Sequence, residues 1–77
     1  MIVTSVNEAI GQCIRRLRID LGVSQEELAQ RAGIHRTYIS QLERGIKSPT
    51  LIVLTKIAKA LGTRPSHILR LIETMLD

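Results

Sequence analysis

A chain of 77 residues has room for one domain, and at that size roughly 40% of the unfolded chain's surface stays in water after folding. Tyr38 is the single aromatic, so Leu, Ile, Val and Ala must supply nearly all of a thin core, while a net charge of +4 suits nucleic acid or an anionic membrane as partner. One cysteine, Cys13, excludes an internal disulfide and, with only His35 and His67 beside it, a Cys/His zinc quartet.

The start, Met1 to Ala9, carries Glu8 and lacks a basic region followed by an apolar run, so no secretory leader is expected. No apolar stretch approaches the ~20 residues needed to cross a bilayer. A cytoplasmic location is the expectation. Five segments place apolar residues at helical spacing and none sustains a period of two, which predicts an all-α domain over residues 1–77. The first helix begins after Ser5, which forms a capping box with Glu8; its inward stripe is Ile10, Cys13, Ile14, Leu17 and Leu21, and Gly22 stops it. On that stripe Cys13 reads as a small core residue. Arg15, Arg16 and Arg18 read as solvated.

The second helix repeats this grammar. Ser24 caps, Glu27 answers three residues later, Leu28 and Ala29 face inward, and Gly33 ends it after barely two turns. So short a turn, Ile34 and His35, makes the next helix cross steeply, as in a helix-turn-helix. The third helix covers about His35 to Arg44. At 100° per residue from Arg36, Ser40 falls near 40°, Thr37 near 100° and Gln41 near 140°, while Leu42 and Ile39 point to roughly 240° and 300°. Tyr38 borders the apolar side. Ser40 and Glu43 also fit the capping pattern, but inside a helix, where it has no meaning. Gly45 closes the helix, and the loop to Pro49 adds Lys47 beside Arg44.

The fourth helix runs from about Leu51 to Leu61, capped by Thr50, with Leu51, Leu54, Ile57, Ala58 and Leu61 inward, and Gly62 ends it. The fifth starts near Pro65 and continues towards Leu76. Its Ile68, Leu69, Leu71, Ile72, Met75 and Leu76 cover about 160°, wider than the ~100° stripe one core requires. Part of that arc, with Ile52 on the outer side of the fourth helix, is surplus. This points to a homodimer seam of Ile52, Leu69, Ile72, Met75 and Leu76.

Arg36, Thr37, Ser40 and Gln41 together offer a forked donor, two hydroxyls and an amide, the groups that read base edges in a major groove. The plain alternative is a solvated helix face. Its setting favours recognition: the face sits on the second helix of a tight pair, and Gln25 lies just inside the positive end of the preceding helix, where a phosphate can bind. Arg44 and Lys47 flank the other end, and His35 beside the turn can touch a phosphate. Lys56, Lys59 and His67 read as solvated. No carboxylate pair, metal cluster, nucleophile with base or phosphate-cradling glycine loop is present, so neither enzyme activity nor a cofactor is expected. A protein-interaction module using the surplus of the fifth helix, and a basic amphipathic membrane binder, are rival readings. Caps at every junction argue against the second.

The run Gln25-x-x-Leu28-Ala29-x-x-Ala32-Gly33-Ile34, then Ile39-Ser40-x-Leu42-Glu43-Arg44-Gly45, then Pro49-Thr50-Leu51 and Leu54-x-x-Ile57-Ala58-x-Ala60-Leu61-Gly62, resembles the Cro/CI-type (XRE) helix-turn-helix domain of phage repressors and bacterial regulators. The likeness spans about residues 8–72. It implies a five-helix, lambda-repressor-like domain that binds double-stranded operator DNA as a symmetric dimer, its third helix in the major groove and half-sites ~34 Å apart. Carried over by position, the resemblance puts base reading on Arg36, Thr37, Ser40 and Gln41, and backbone contact on Gln25 and Tyr38. The short chain with "HRTYISQLERG" also resembles the controller proteins of restriction-modification systems, which activate and then repress their own gene. Phage-type repressors and antitoxins, whose last helix mainly binds a partner protein, are the alternative. Activation implies a contact with RNA polymerase at Glu26 or Glu27, residues that otherwise serve the cap and the helix dipole.

Overall fold

The computed structural model describes residues 5–76; residues 1–4 and 77 of the expected domain, and with them part of the segment Met1 to Ala9 read for a leader, lie outside the described residues. Five helices follow in order: α1 Val6–Leu21, α2 Gln25–Ala32, α3 Arg36–Glu43, α4 Leu51–Ala60 and α5 Pro65–Leu76. Among the described residues there is no strand, and no helix is long and apolar enough to cross a membrane.

The expected caps form. Ser5 Oγ accepts from the Glu8 amide at 3.1 Å, Ser24 Oγ from that of Glu27 at 3.0 Å, and Thr50 Oγ1 from that of Val53 at 3.1 Å. Each satisfies a donor that a helix start otherwise leaves open, worth about 1 kcal/mol. Gly22 and Gly33 take the left-handed conformation, φ 79° and 70°, which L side chains adopt only at a cost. Beyond Gly33 the Ile34 amide returns to the Ala29 carbonyl at 3.0 Å, so three residues, 33–35, carry the chain from α2 to α3.

The core is aliphatic: Ile14, Leu28, Ile39, Leu42, Ile57 and Ile68 are completely buried, with Cys13 beside them. At roughly 1.5–3 kcal/mol for each large side chain removed from water, these few residues provide most of the drive to fold. α1 packs on α3 and α5, and α2 on α3 and α4, so α3 rests on both α1 and α2 in the core. Gly11 marks the α1–α3 crossing: a Cβ there would meet the backbone carbonyls of Leu42 and Glu43.

Three expectations about the apolar stripes are corrected. Leu21 and Leu51, expected inward, are exposed, Leu51 to 78%, because each occupies a terminal helical turn that overhangs the thin core. Ile72, expected at a dimer seam, is only 5% exposed and packs in the core of its own chain. Met75 is half-buried against that core, whereas Ile52 at 70%, Leu69 and Leu76 are exposed.

Candidate nucleic-acid interface

α3 is held by its apolar side and free on its polar side. Ile39 and Leu42 anchor it, while Tyr38 packs its ring at the core's edge and donates its hydroxyl to the Ser48 carbonyl at 3.4 Å, tying α3 to the loop after it. Arg36 and Thr37 are exposed and Ser40 and Gln41 half-exposed, as the wheel angles require. A shallow groove runs along this side, lined by Ile34, His35, Thr37, Tyr38, Gln41 and Lys47. His35 is the N-cap residue but its side chain makes no capping bond, leaving the imidazole in solvent.

The two basic groups expected together at the far end of α3 separate. Lys47 lines the groove, whereas Arg44 folds back, its Nε donating to the Ser40 carbonyl at 3.4 Å, and borders a second depression with Glu8, Gln12 and Arg15. Arg15 thus adds to the positive charge near the end of α3. Arg16 instead forms an exposed pair with Asp20 at 3.3 Å, worth little to stability.

Arg18 corrects the solvated reading. Its Nε and Nη2 donate to the two oxygens of Glu43 at 2.7 and 2.9 Å, and its Nη1 to the Val23 carbonyl at 3.0 Å. The pair is largely buried, with side-chain exposures of 14% for Arg18 and 4% for Glu43. The bond to Glu43 outweighs desolvation and raises the guanidinium's pKa, so the charge is secure. Gln25 joins the same group, its Nε2 donating to Glu43 Oε1 at 3.2 Å. One carboxylate therefore connects α1, the first residue of α2 and the last residue of α3. A signal for this pair was present in the sequence: Arg18 stands one turn beyond Ile14 and Glu43 one turn beyond Ile39, opposite charges extending two buried stripes.

Glu26 and Glu27 are exposed in the first turn of α2, and Glu27 also meets Arg31 at 3.4 Å. Among the described residues no group of three or more His, Cys, Asp or Glu could hold a metal ion. Cys13 is buried, and desolvation pushes its thiol up to about 11, far from a reactive thiolate.

Two short helices joined by three residues, the second anchored by two aliphatics and presenting a polar face to solvent, define a helix-turn-helix protein. The helix-turn-helix family profile matches residues 14–68, and the chain belongs to the XRE-type helix-turn-helix family of transcriptional regulators. The control protein C.BamHI of Bacillus amyloliquefaciens is 45% identical over 60 residues, 77% of this chain and 74% of that one. The crystal structure of the clp gene regulator ClgR from Corynebacterium glutamicum matches with a TM-score of 0.89 at 32% identity, covering 95% of this chain and 78% of that one. The restriction-modification controller protein C.Esp1396I, solved as a tetramer in complex with its natural 35 base-pair operator, matches with a TM-score of 0.85 at 26% identity, covering 96% and 97% of the two chains.

Proposed function

We propose that this chain is a sequence-specific operator-binding regulator that controls restriction-modification genes, its own among them. The observation that carries the reading is the solvent-facing side of α3, where Arg36, Thr37, Ser40 and Gln41 stand together on a helix fixed by Ile39 and Leu42. In a major groove these side chains reach base edges, and the guanidinium of Arg36 can bond O6 and N7 of one guanine. Gln25, His35, Arg44 and Lys47 surround that face with donors for phosphates on either side, and Tyr38 can turn its hydroxyl from the Ser48 carbonyl to a phosphate beside them. Two copies joined through Ile52, Leu69 and Leu76 present two such helices to half-sites one turn apart, and Met75 contributes its exposed part. The similarity to C.BamHI and C.Esp1396I supports the restriction-modification assignment, and Glu26 offers an acidic contact for polymerase on the exposed side of α2.

Footprinting on DNA from upstream of the chain's own gene tests the reading. Protection of paired half-sites, lost when their sequence is scrambled, is the expected result. Equal affinity for operator and scrambled duplex overturns it.

A further inference from the structure

We infer that Glu43, which faces no DNA under the proposed function, is a positioning residue that orients the Gln25 amide for a phosphate. The inference rests on that function and deepens it. Arg18 grips both carboxylate oxygens from one side, which leaves Oε1 able to accept one more hydrogen from the other. That position is filled by Gln25 Nε2 at 3.2 Å.

An amide can present either its oxygen or its nitrogen to a neighbour, but an ionised carboxylate only accepts. Glu43, the carboxylate partner of Arg18, therefore selects the nitrogen. With one Nε2 hydrogen committed to Glu43, the second has no acceptor among the described residues, and Gln25 is half-exposed at the first residue of α2. There it joins the unsatisfied backbone donors of the helix start, so the amide adds one more N–H to a set that already attracts an anion. A freely turning amide would spend part of its time offering oxygen to the phosphate, which repels it. Glu43 removes that orientation, and because it ends α3 it also ties the phosphate contact to the helix that carries Arg36 and Thr37.

The test is a double-mutant cycle on Kd for the footprinted duplex, using Glu43→Gln and Gln25→Ala. A glutamine at 43 presents oxygen or nitrogen equally well, so it frees the amide at 25 while keeping the side chain's size. Glu43→Gln is expected to weaken binding roughly three- to tenfold with Gln25 present, the size of one hydrogen bond, and less than twofold in the Gln25→Ala background. Equal loss in both backgrounds overturns the inference, since a carboxylate that merely braces the fold weakens binding whether or not the amide is there. All four proteins are compared well below their unfolding temperatures. If Glu43→Gln does not fold, Glu43→Asp replaces it in the cycle, keeping the charge while drawing the carboxylate back by one methylene from the Gln25 amide, with the same criteria. A wild-type chain that binds no duplex removes the regulator reading and this inference together, whereas tight, sequence-specific binding with equal losses removes the inference alone.

Discussion

Gly11 in α1 lies against the backbone carbonyl of Leu42 in α3, leaving no space between the two helices for a methyl group. A Cβ at residue 11 would come within 2.8 Å of the Glu43 carbonyl oxygen and closer still to that of Leu42. Both obstacles are backbone, so no side chain can turn aside. Gly11→Ala gains up to about 1 kcal/mol of helix propensity in isolation, but overpacking of this kind costs about 1–3 kcal/mol or more when backbone must move. The expected outcome is a net loss of stability of about 1–2 kcal/mol, read as a lower urea midpoint, with weaker operator binding because α3 is displaced. An unchanged midpoint would show that α1 and α3 separate freely.

Cys13 sets a pH dependence. Its thiol titrates at about 11 in the folded chain against 9.0 as the unperturbed value, because burial disfavours the thiolate. A folded-state pKa above the unfolded one means that stability is fully present below pH 9 and is lost as pH rises towards 11, by about 1.4 kcal/mol per pH unit within that window. Denaturant melts at pH 8, 9.5 and 10.5 should therefore fall more steeply for wild type than for Cys13→Ala, which is less stable at pH 8 but lacks this slope. Parallel pH curves would count against the shift.

Much of this fold is legible in the sequence because its punctuation is chemical. Ser5, Ser24 and Thr50 are caps in sequence and in structure, and Gly22 and Gly33 stop helices where their left-handed backbone requires glycine. The division of α3 into an anchored and a free side also follows from period alone. Period, however, gives direction around a helix and says nothing of how far a core extends along it, which is why Leu21 and Leu51 read as inward yet emerge into solvent. It is equally silent on which of two apolar arcs meets its own core and which a second copy, so Ile72 reads as seam and lies in the core. Arg18 and Glu43 escape for a different reason: each extends a buried stripe, but which charge meets which is set by the crossing of α1 on α3, 25 residues apart in the chain.

The exposures on α5 separate dimerisation from folding. Leu69→Asp replaces a side chain that is 45% exposed in the single chain, so the variant should stay helical and melt cooperatively. Under the proposed function sedimentation should find wild type dimeric and this variant monomeric, with operator affinity reduced at least tenfold because two half-sites are no longer joined. Ile72→Asp puts a carboxylate in the core with no partner, costing several kcal/mol, enough to unfold a domain this small. A dimeric Leu69→Asp protein would exclude that residue from the seam.

Arg36 and Lys47 lie near the same face and should fail differently when removed. Arg36 is exposed in the first turn of α3, and as a forked donor its proposed partner is a base. Arg36→Ala is expected to cost about 1–3 kcal/mol per half-site on the operator and much less on scrambled duplex, so discrimination falls. Lys47 lies in the loop after α3 and lines the groove from outside the helix, and as a point charge its proposed partner is a phosphate rather than a base edge. Lys47→Ala should weaken operator and scrambled DNA by similar factors, and the slope of log affinity against log salt should decrease by about one for each phosphate that is no longer neutralised. Arg36→Ala should lose discrimination at every salt concentration, because a base contact does not depend on counterion release alone. Titrations of both variants on both duplexes from about 50 to 200 mM salt distinguish these patterns. If Arg36→Ala instead produced the uniform, salt-linked loss, its guanidinium would belong to the phosphate set, and reading of the bases would fall to Thr37, Ser40 and Gln41.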